Sequence, residues 1–201
     1  MIRLLFLLAL CSSAAFADDT ILVFGDSLSA GHGIGIEQSW PSLLAKRLEA
    51  ERFPYAVANA SISGETTAGG KSRLTSALDS FRPAVVIIEL GANDGLRGLP
   101  VPRMRANLQD MIRAAQERRA RVLLVGMKLP PNYGPDYTTR FESAFREVAQ
   151  QRKVTLLPFL LDPIAQDPDA FQPDGLHPVA AAQPKILDHV WKALRPLLKR
   201  P

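Results

Sequence analysis

Along this chain, short unbroken apolar runs alternate with longer stretches in which apolar residues recur at helical spacing. The runs at 20–24, 55–58, 84–90, 121–126 and 154–157 read as strands, 20–24 being β-branched and apolar and 55–58 a weaker one. The run AVVIIEL at 84–90 is the strongest of them. Between them, 38–51, 71–80, 101–119, 136–152 and 180–198 read as helices. In 38–51 the apolar stripe is Leu43, Leu44 and Leu48, with charges between, and Pro102 suits the first turn of 101–119. Strands that are apolar throughout, each followed by a helix, predict a parallel sheet covered on both faces with right-handed crossovers. The expectation is an α/β fold: a three-layer α/β/α sandwich around a five-stranded parallel sheet in flavodoxin-like order, built as one domain over 18–201. In such sheets ligands bind at the carboxyl ends of the strands, so the loops there carry the functional reading.

The first 17 residues stand apart from this pattern. A basic start at Arg3 precedes an apolar run from Leu4 to Leu10, and Ala15-Phe16-Ala17 has the small-x-small form read by signal peptidase. A spanning helix needs roughly 20 apolar residues, so the run is too short for an anchor. The expectation is a signal peptide over 1–17, cleaved to leave Asp18 first, with export to the periplasm or beyond and no stable membrane insertion of the mature chain. Cys11 is the only cysteine and would leave with that segment, which excludes a cysteine nucleophile, thiolate ligands and disulfides in the mature protein. The net charge of +4 is mild. The densest basic run, Glu117-Arg118-Arg119-Ala120-Arg121, falls at a helix end, where cations are favourable. No basic stripe with interleaved aromatics is present, so nucleic acid is not an expected partner.

The loop after the first strand is Gly25-Asp26-Ser27-Leu28-Ser29. A serine at a strand-to-helix turn can present its hydroxyl clear of the sheet, although Asp26, Ser27 or Ser29 can equally serve as a helix cap. The alternate glycines Gly31, Gly33 and Gly35 do not form a dinucleotide fingerprint and read as a loop beside the site. In the loop 59–66, Gly64 can turn its N–H toward a ligand; ordinary turn chemistry is the plainer reading. After the strongest strand comes Gly91-Ala92-Asn93-Asp94-Gly95, where the Asn93 amide offers two donors. The last loop, Pro173-Asp174-Gly175-Leu176-His177-Pro178, spaces an acid and an imidazole three residues apart. That spacing lets Asp174 meet one ring nitrogen of His177 while the other points toward Ser27. Of the other histidines, His32 can line the site and His189 lies within the last helix. Asp162, Asp167 and Asp169 fit no calcium loop, and no metal or cofactor is expected. Together the loops supply a nucleophile, a base with its orienting acid, and oxyanion donors.

FGDSLSAG, NASISGETT, ELGANDGLRG and DGLHP, in this order, resemble the four sequence blocks of the SGNH hydrolases, a branch of the GDSL family. The spacing, with GLRG at 95–98, is similar to the subgroup of bacterial periplasmic thioesterases, lysophospholipases and arylesterases. The resemblance implies a catalytic set of Ser27, Asp174 and His177. It also implies an oxyanion hole from the Ser27 and Gly64 N–H groups and the Asn93 side chain. The stretch Leu129-Pro130-Pro131-Asn132-Tyr133-Gly134 resembles a substrate-side loop of this subgroup. Candidates for the acyl site are Leu28, Ile34, Ile62, Leu96, Leu129, Pro130, Asn132 and Tyr133. The expected substrates are small acyl esters, thioesters or lysophospholipids, handled by a monomer. Two other readings stay open: a carbohydrate acetylesterase on the same scaffold, and a lipid-binding module without turnover.

Overall fold

The computed structural model describes residues 19–199. The proposed signal peptide, with Cys11, lies outside them. Five strands form one parallel sheet: β1 (Asp19–Gly25), β2 (Tyr55–Asn59), β3 (Val85–Glu89), β4 (Arg121–Val125) and β5 (Thr155–Leu157), in the order β2-β1-β3-β4-β5. This is the flavodoxin-like order, with the switch point between β1 and β3. The chain moves left from β1 to β2 and right thereafter, so right-handed crossovers send the connecting helices to opposite faces. Helix α2 (Trp40–Ala50) packs with α7 (Gln183–Leu194), while α3 (Thr67–Phe81), α5 (Val101–Glu117) and α6 (Pro135–Arg152) pack side by side.

The core follows from the apolar runs. Ile21 to Phe24 of β1 and Val85 to Ile88 of β3 are fully buried, which is why these central strands carry no polar alternation. Each such aliphatic side chain contributes about 1.5–3 kcal/mol on leaving water. One residue breaks the rule: Glu89, the last of β3, is only 2% exposed.

Two short helices lie where loops were expected, α1 (Ser27–Ala30) and α4 (Ala92–Leu96). Four or five residues are too few to show a period. Helix α3 begins at Thr67 rather than at 71, because Thr66 caps it: its side chain accepts from the Gly69 N–H and offsets the poor helix preference of Gly69-Gly70. The final stretch is not one helix over 180–198. Its ends are 3-10 turns, Ala180–Ala182 and Arg195–Leu197, with Pro184 and Pro196 where each regular segment begins.

Candidate active site

The carboxyl ends of β1, β3 and the segment after β5 converge on one place. Ser27 opens α1 directly after the β1 turn. Asp26 caps that helix: its Oδ1 accepts from the Leu28 N–H at 3.0 Å. Ser27 Oγ lies 2.8 Å from His177 Nε2, and His177 Nδ1 lies 2.6 Å from Asp174 Oδ2. With Asp174 accepting at Nδ1–H, Nε2 is the unprotonated nitrogen and accepts from the serine hydroxyl.

The 170–178 segment holds His177 without belonging to any strand. Phe171 and Pro178 form an isolated antiparallel bridge, and the Gln172 N–H donates to the His177 carbonyl at 2.7 Å. Asp174 Oδ1 accepts from the N–H groups of Leu176 at 2.9 Å and His177 at 3.0 Å. One carboxylate thus folds the turn and orients the ring. These hydrogen bonds, first from the His177 backbone and then from its ring, hold the Asp174 carboxyl far below the usual carboxylate range although it is exposed. Gln172 Nε2 also donates to His32 O at 2.8 Å and Pro178 O at 3.1 Å, pinning the α1 exit to the histidine loop. The His32 ring rests on His177 with centroids 4.4 Å apart. His189 is turned away, its Nε2 meeting the Phe159 carbonyl at 3.0 Å.

The two remaining blocks are stitched to this core. Asn59 Nδ2 donates to Ser29 O at 2.8 Å, and Ser61 Oγ accepts from the Gly25 N–H at 3.1 Å. The loop therefore runs along the end of β1 and delivers Gly64 with φ +78°, a conformation that costs glycine little. Asn93 lies in α4, and its Nδ2 donates to Asp26 Oδ2 at 3.1 Å. The buried Asp94 beside it accepts from Thr67 N and Oγ1 at 2.8 and 2.6 Å, and Arg97 Nη2 donates to Gly64 O at 2.9 Å. Asp94, Arg97 and Gln172 were not singled out in the sequence. Their partners Thr67, Gly64 and His32 lie 27 residues or more away, and no local pattern marks such pairs.

A cavity of about 530 Å³ joins these groups. Ser27, His32, Gly64, Asn93 and His177 reach it, and its walls are largely apolar, with Leu28, Leu96, Leu129, Met127, Phe159 and Leu161 among them. Of the acyl-site candidates, Leu28, Leu96, Leu129 and Pro130 line it, while Ile34, Ile62, Asn132 and Tyr133 do not. Ile62 is half exposed, and Tyr133 instead donates its hydroxyl to the Leu96 carbonyl at 2.9 Å, bracing that wall from behind. Met127 and Phe159 escaped the sequence reading because they sit just beyond strand ends and resemble core. Among the described residues, no group of three histidine, cysteine or acidic side chains is arranged to hold a metal ion.

A serine hydroxyl on an imidazole backed by a carboxylate, at the active edge of an α/β/α sandwich and beside an apolar cavity, has the geometry of a serine hydrolase centre. The sequence profile of the GDSL-like lipase/acylhydrolase family matches residues 23–183. The chain belongs to that family. It is 48% identical to Esterase TesA of Pseudomonas aeruginosa over 182 residues, 90% of each chain. It is 39% identical to Thioesterase 1/protease 1/lysophospholipase L1 of Escherichia coli, over 96% of this chain and 91% of that one. The crystal structure of the psychrotrophic esterase EstA from Pseudoalteromonas sp., inhibited by monoethylphosphonate, superimposes with a TM-score of 0.86 at 41% identity, covering 89% of this chain and 98% of that one.

Proposed function

We propose that this protein hydrolyses small acyl esters and thioesters through an acyl-enzyme on Ser27. The observation that carries the reading is the aligned chain Ser27 Oγ–His177 Nε2–Asp174, at 2.8 and 2.6 Å. His177 takes the serine proton as the hydroxyl attacks the acyl carbonyl, then returns it to the leaving oxygen or sulfur. Water, activated by the same imidazole, releases the acid. Asp174 fixes the ring tautomer and favours the transient imidazolium. The N–H groups of Ser27 and Gly64 and the Asn93 amide hold the oxyanion, each such donor contributing about 3 kcal/mol to transition-state stabilisation. The relatives named for esterase, thioesterase and lysophospholipase activity support this choice of bond.

The apolar cavity favours an acyl chain over an acetylated sugar, and Leu28, Leu96, Leu129 and Pro130 are its proposed contacts. A binding module without turnover has no use for a base aligned on a hydroxyl. Residues 1–17 are proposed as a cleaved signal peptide that sends the enzyme to the periplasm, where it acts as a monomer; N-terminal sequencing of the mature protein beginning at Asp18 tests the cleavage.

The decisive experiment is labelling with a fluorophosphonate, followed by intact mass and peptide mapping. A single adduct on Ser27, lost in His177→Ala, supports nucleophile and base together. A folded protein that takes up no probe rejects the mechanism. Turnover of acyl thioesters and esters of graded chain length, with none of acetylated sugars, separates this reading from the acetylesterase.

A further inference from the structure

Beneath Ser27 lies a second acidic group that the mechanism above does not use. Asp26 and Glu89 are 1% and 2% exposed, and their carboxyl groups meet. Among the described residues, no lysine or arginine donates to either. Two carboxylates in so dry a contact cannot both be charged, whereas one shared proton turns the repulsion into a hydrogen bond.

The surrounding donors indicate which acid holds that proton. Asp26 accepts from the Leu28 N–H on Oδ1 and from Asn93 Nδ2 on Oδ2. Glu89 Oε2 accepts from Ser29 Oγ at 2.7 Å and from the Asp26 N–H at 3.3 Å. Both Asp26 oxygens thus accept from N–H donors, whereas on Glu89 only Oε2 does so, which favours the hydrogen on Glu89. Gly25 makes the approach possible: a Cβ there would lie 2.7 Å from Glu89 Oε2 and 2.8 Å from Ser29 Oγ.

Asn93 has one amide nitrogen with two hydrogens. One is donated to Asp26, so the direction of the other is set by where Asp26 stands. We propose that Glu89 and Asp26 are positioning residues, a carboxyl–carboxylate pair in which the Glu89 hydroxyl donates to Asp26 and Asp26 in turn aims the Asn93 amide at the oxyanion. The inference rests on Asn93 being an oxyanion donor. Burial pushes Asp26 up to about 6, and burial, then the Asp26 charge, raises Glu89 well above its ordinary value. The charge that His177 gains on taking the serine proton favours the Asp26 anion.

A double-mutant cycle on the purified enzyme, with kcat and KM for a p-nitrophenyl acyl ester and thermal unfolding of each variant, tests the pair. Asn93→Ala is expected to lower kcat about 10²–10³-fold. Asp26→Asn sets an amide donor against the Asn93 donor and is expected to lower kcat about 10–10²-fold with KM nearly unchanged, since misaimed groups cost rates of that order. Asp26→Asn combined with Asn93→Ala should be no slower than Asn93→Ala alone, because Asp26 acts through Asn93. Glu89→Gln keeps a donor toward Asp26 and should retain kcat, while Glu89→Ala should lose it as Asp26→Asn does. Additive losses in the double variant, or a folded Glu89→Gln as slow as Asp26→Asn, overturn the proposal while leaving the oxyanion reading intact. Full activity in Asn93→Ala overturns that reading and this one with it. If Asp26→Asn does not fold, the contrast between Glu89→Gln and Glu89→Ala decides: equal kcat overturns the pair.

Discussion

Two aspartates flank the Ser27–His177 contact, and they live in opposite surroundings. Asp174 sits in an irregular exposed turn and is held charged by three hydrogen bonds from its own turn. Asp26 sits at the end of a central strand and is only 1% exposed, and burial drives its carboxyl up to about 6. The contrast teaches that the side chain alone does not set the role. In the outer loop, donors make a carboxylate a dependable anion even in solvent. In the inner loop, the sheet takes the carboxyl out of solvent, and two donors do not offset the desolvation.

The largest effects fall on the contact both acids surround. Ser27→Ala and His177→Ala should each lower kcat on the order of 10⁴–10⁶-fold, because members of such a unit fail together. Steady-state turnover on a folded variant checks this, and a Ser27→Ala enzyme at the normal rate would remove the mechanism. Asp174→Asn should cost less than a buried triad acid, about 10–10²-fold against the roughly 10⁴-fold seen where the acid is enclosed. Its Oδ1 role in the turn survives, and solvent screens the lost charge. A loss as large as that of His177→Ala would erase the distinction between exposed and buried acid.

Stability probes the inner acid. Gly25→Ala should lower stability by about 1–3 kcal/mol in denaturant unfolding, since the new methyl meets Glu89 and Ser29. Gln172→Ala should cost about 1–2 kcal/mol by leaving the His32 and Pro178 carbonyls with one donor fewer.

The smallest effect concerns pH, and the two aspartates should give opposite signs. Asp26 has its folded pKa raised, so its contribution is complete below the ordinary value of 3.8 and is lost as pH rises through about 6. Asp174 has its folded pKa lowered, so its contribution is present above 3.8 and is lost as pH falls below it. The melting temperature of Asp26→Asn minus that of the wild type should therefore be more positive at pH 8 than at pH 4. For Asp174→Asn the difference should be more negative at pH 5 than at pH 2.5. Differences with the same sign would mean that the two carboxyls are not in opposed environments.

Local pattern was enough for much of the fold. Each apolar run became a strand within a residue or two, since burial on both faces of a parallel sheet demands such runs. Strand–helix alternation with right-handed crossovers then limited the topology to very few orders. Ser27, Gly64, Asn93, Asp174 and His177 were named through the resemblance of their four blocks to the SGNH hydrolases, since capping and turn chemistry account for most of them singly. What could not be read was every contact between loops: Gln172 on His32, Arg97 on Gly64, Asp94 on Thr67, and above all Glu89 beneath Asp26. Glu89 looked like the tail of a strand, and Asp26 like a helix cap. Their pairing across 63 residues exists because β3 lies beside β1, with Gly25 opposite Glu89 in register. Periodicity determines what each segment becomes. Only the packed sheet decides which side chains lose their water together, and with it which carboxyl keeps its proton.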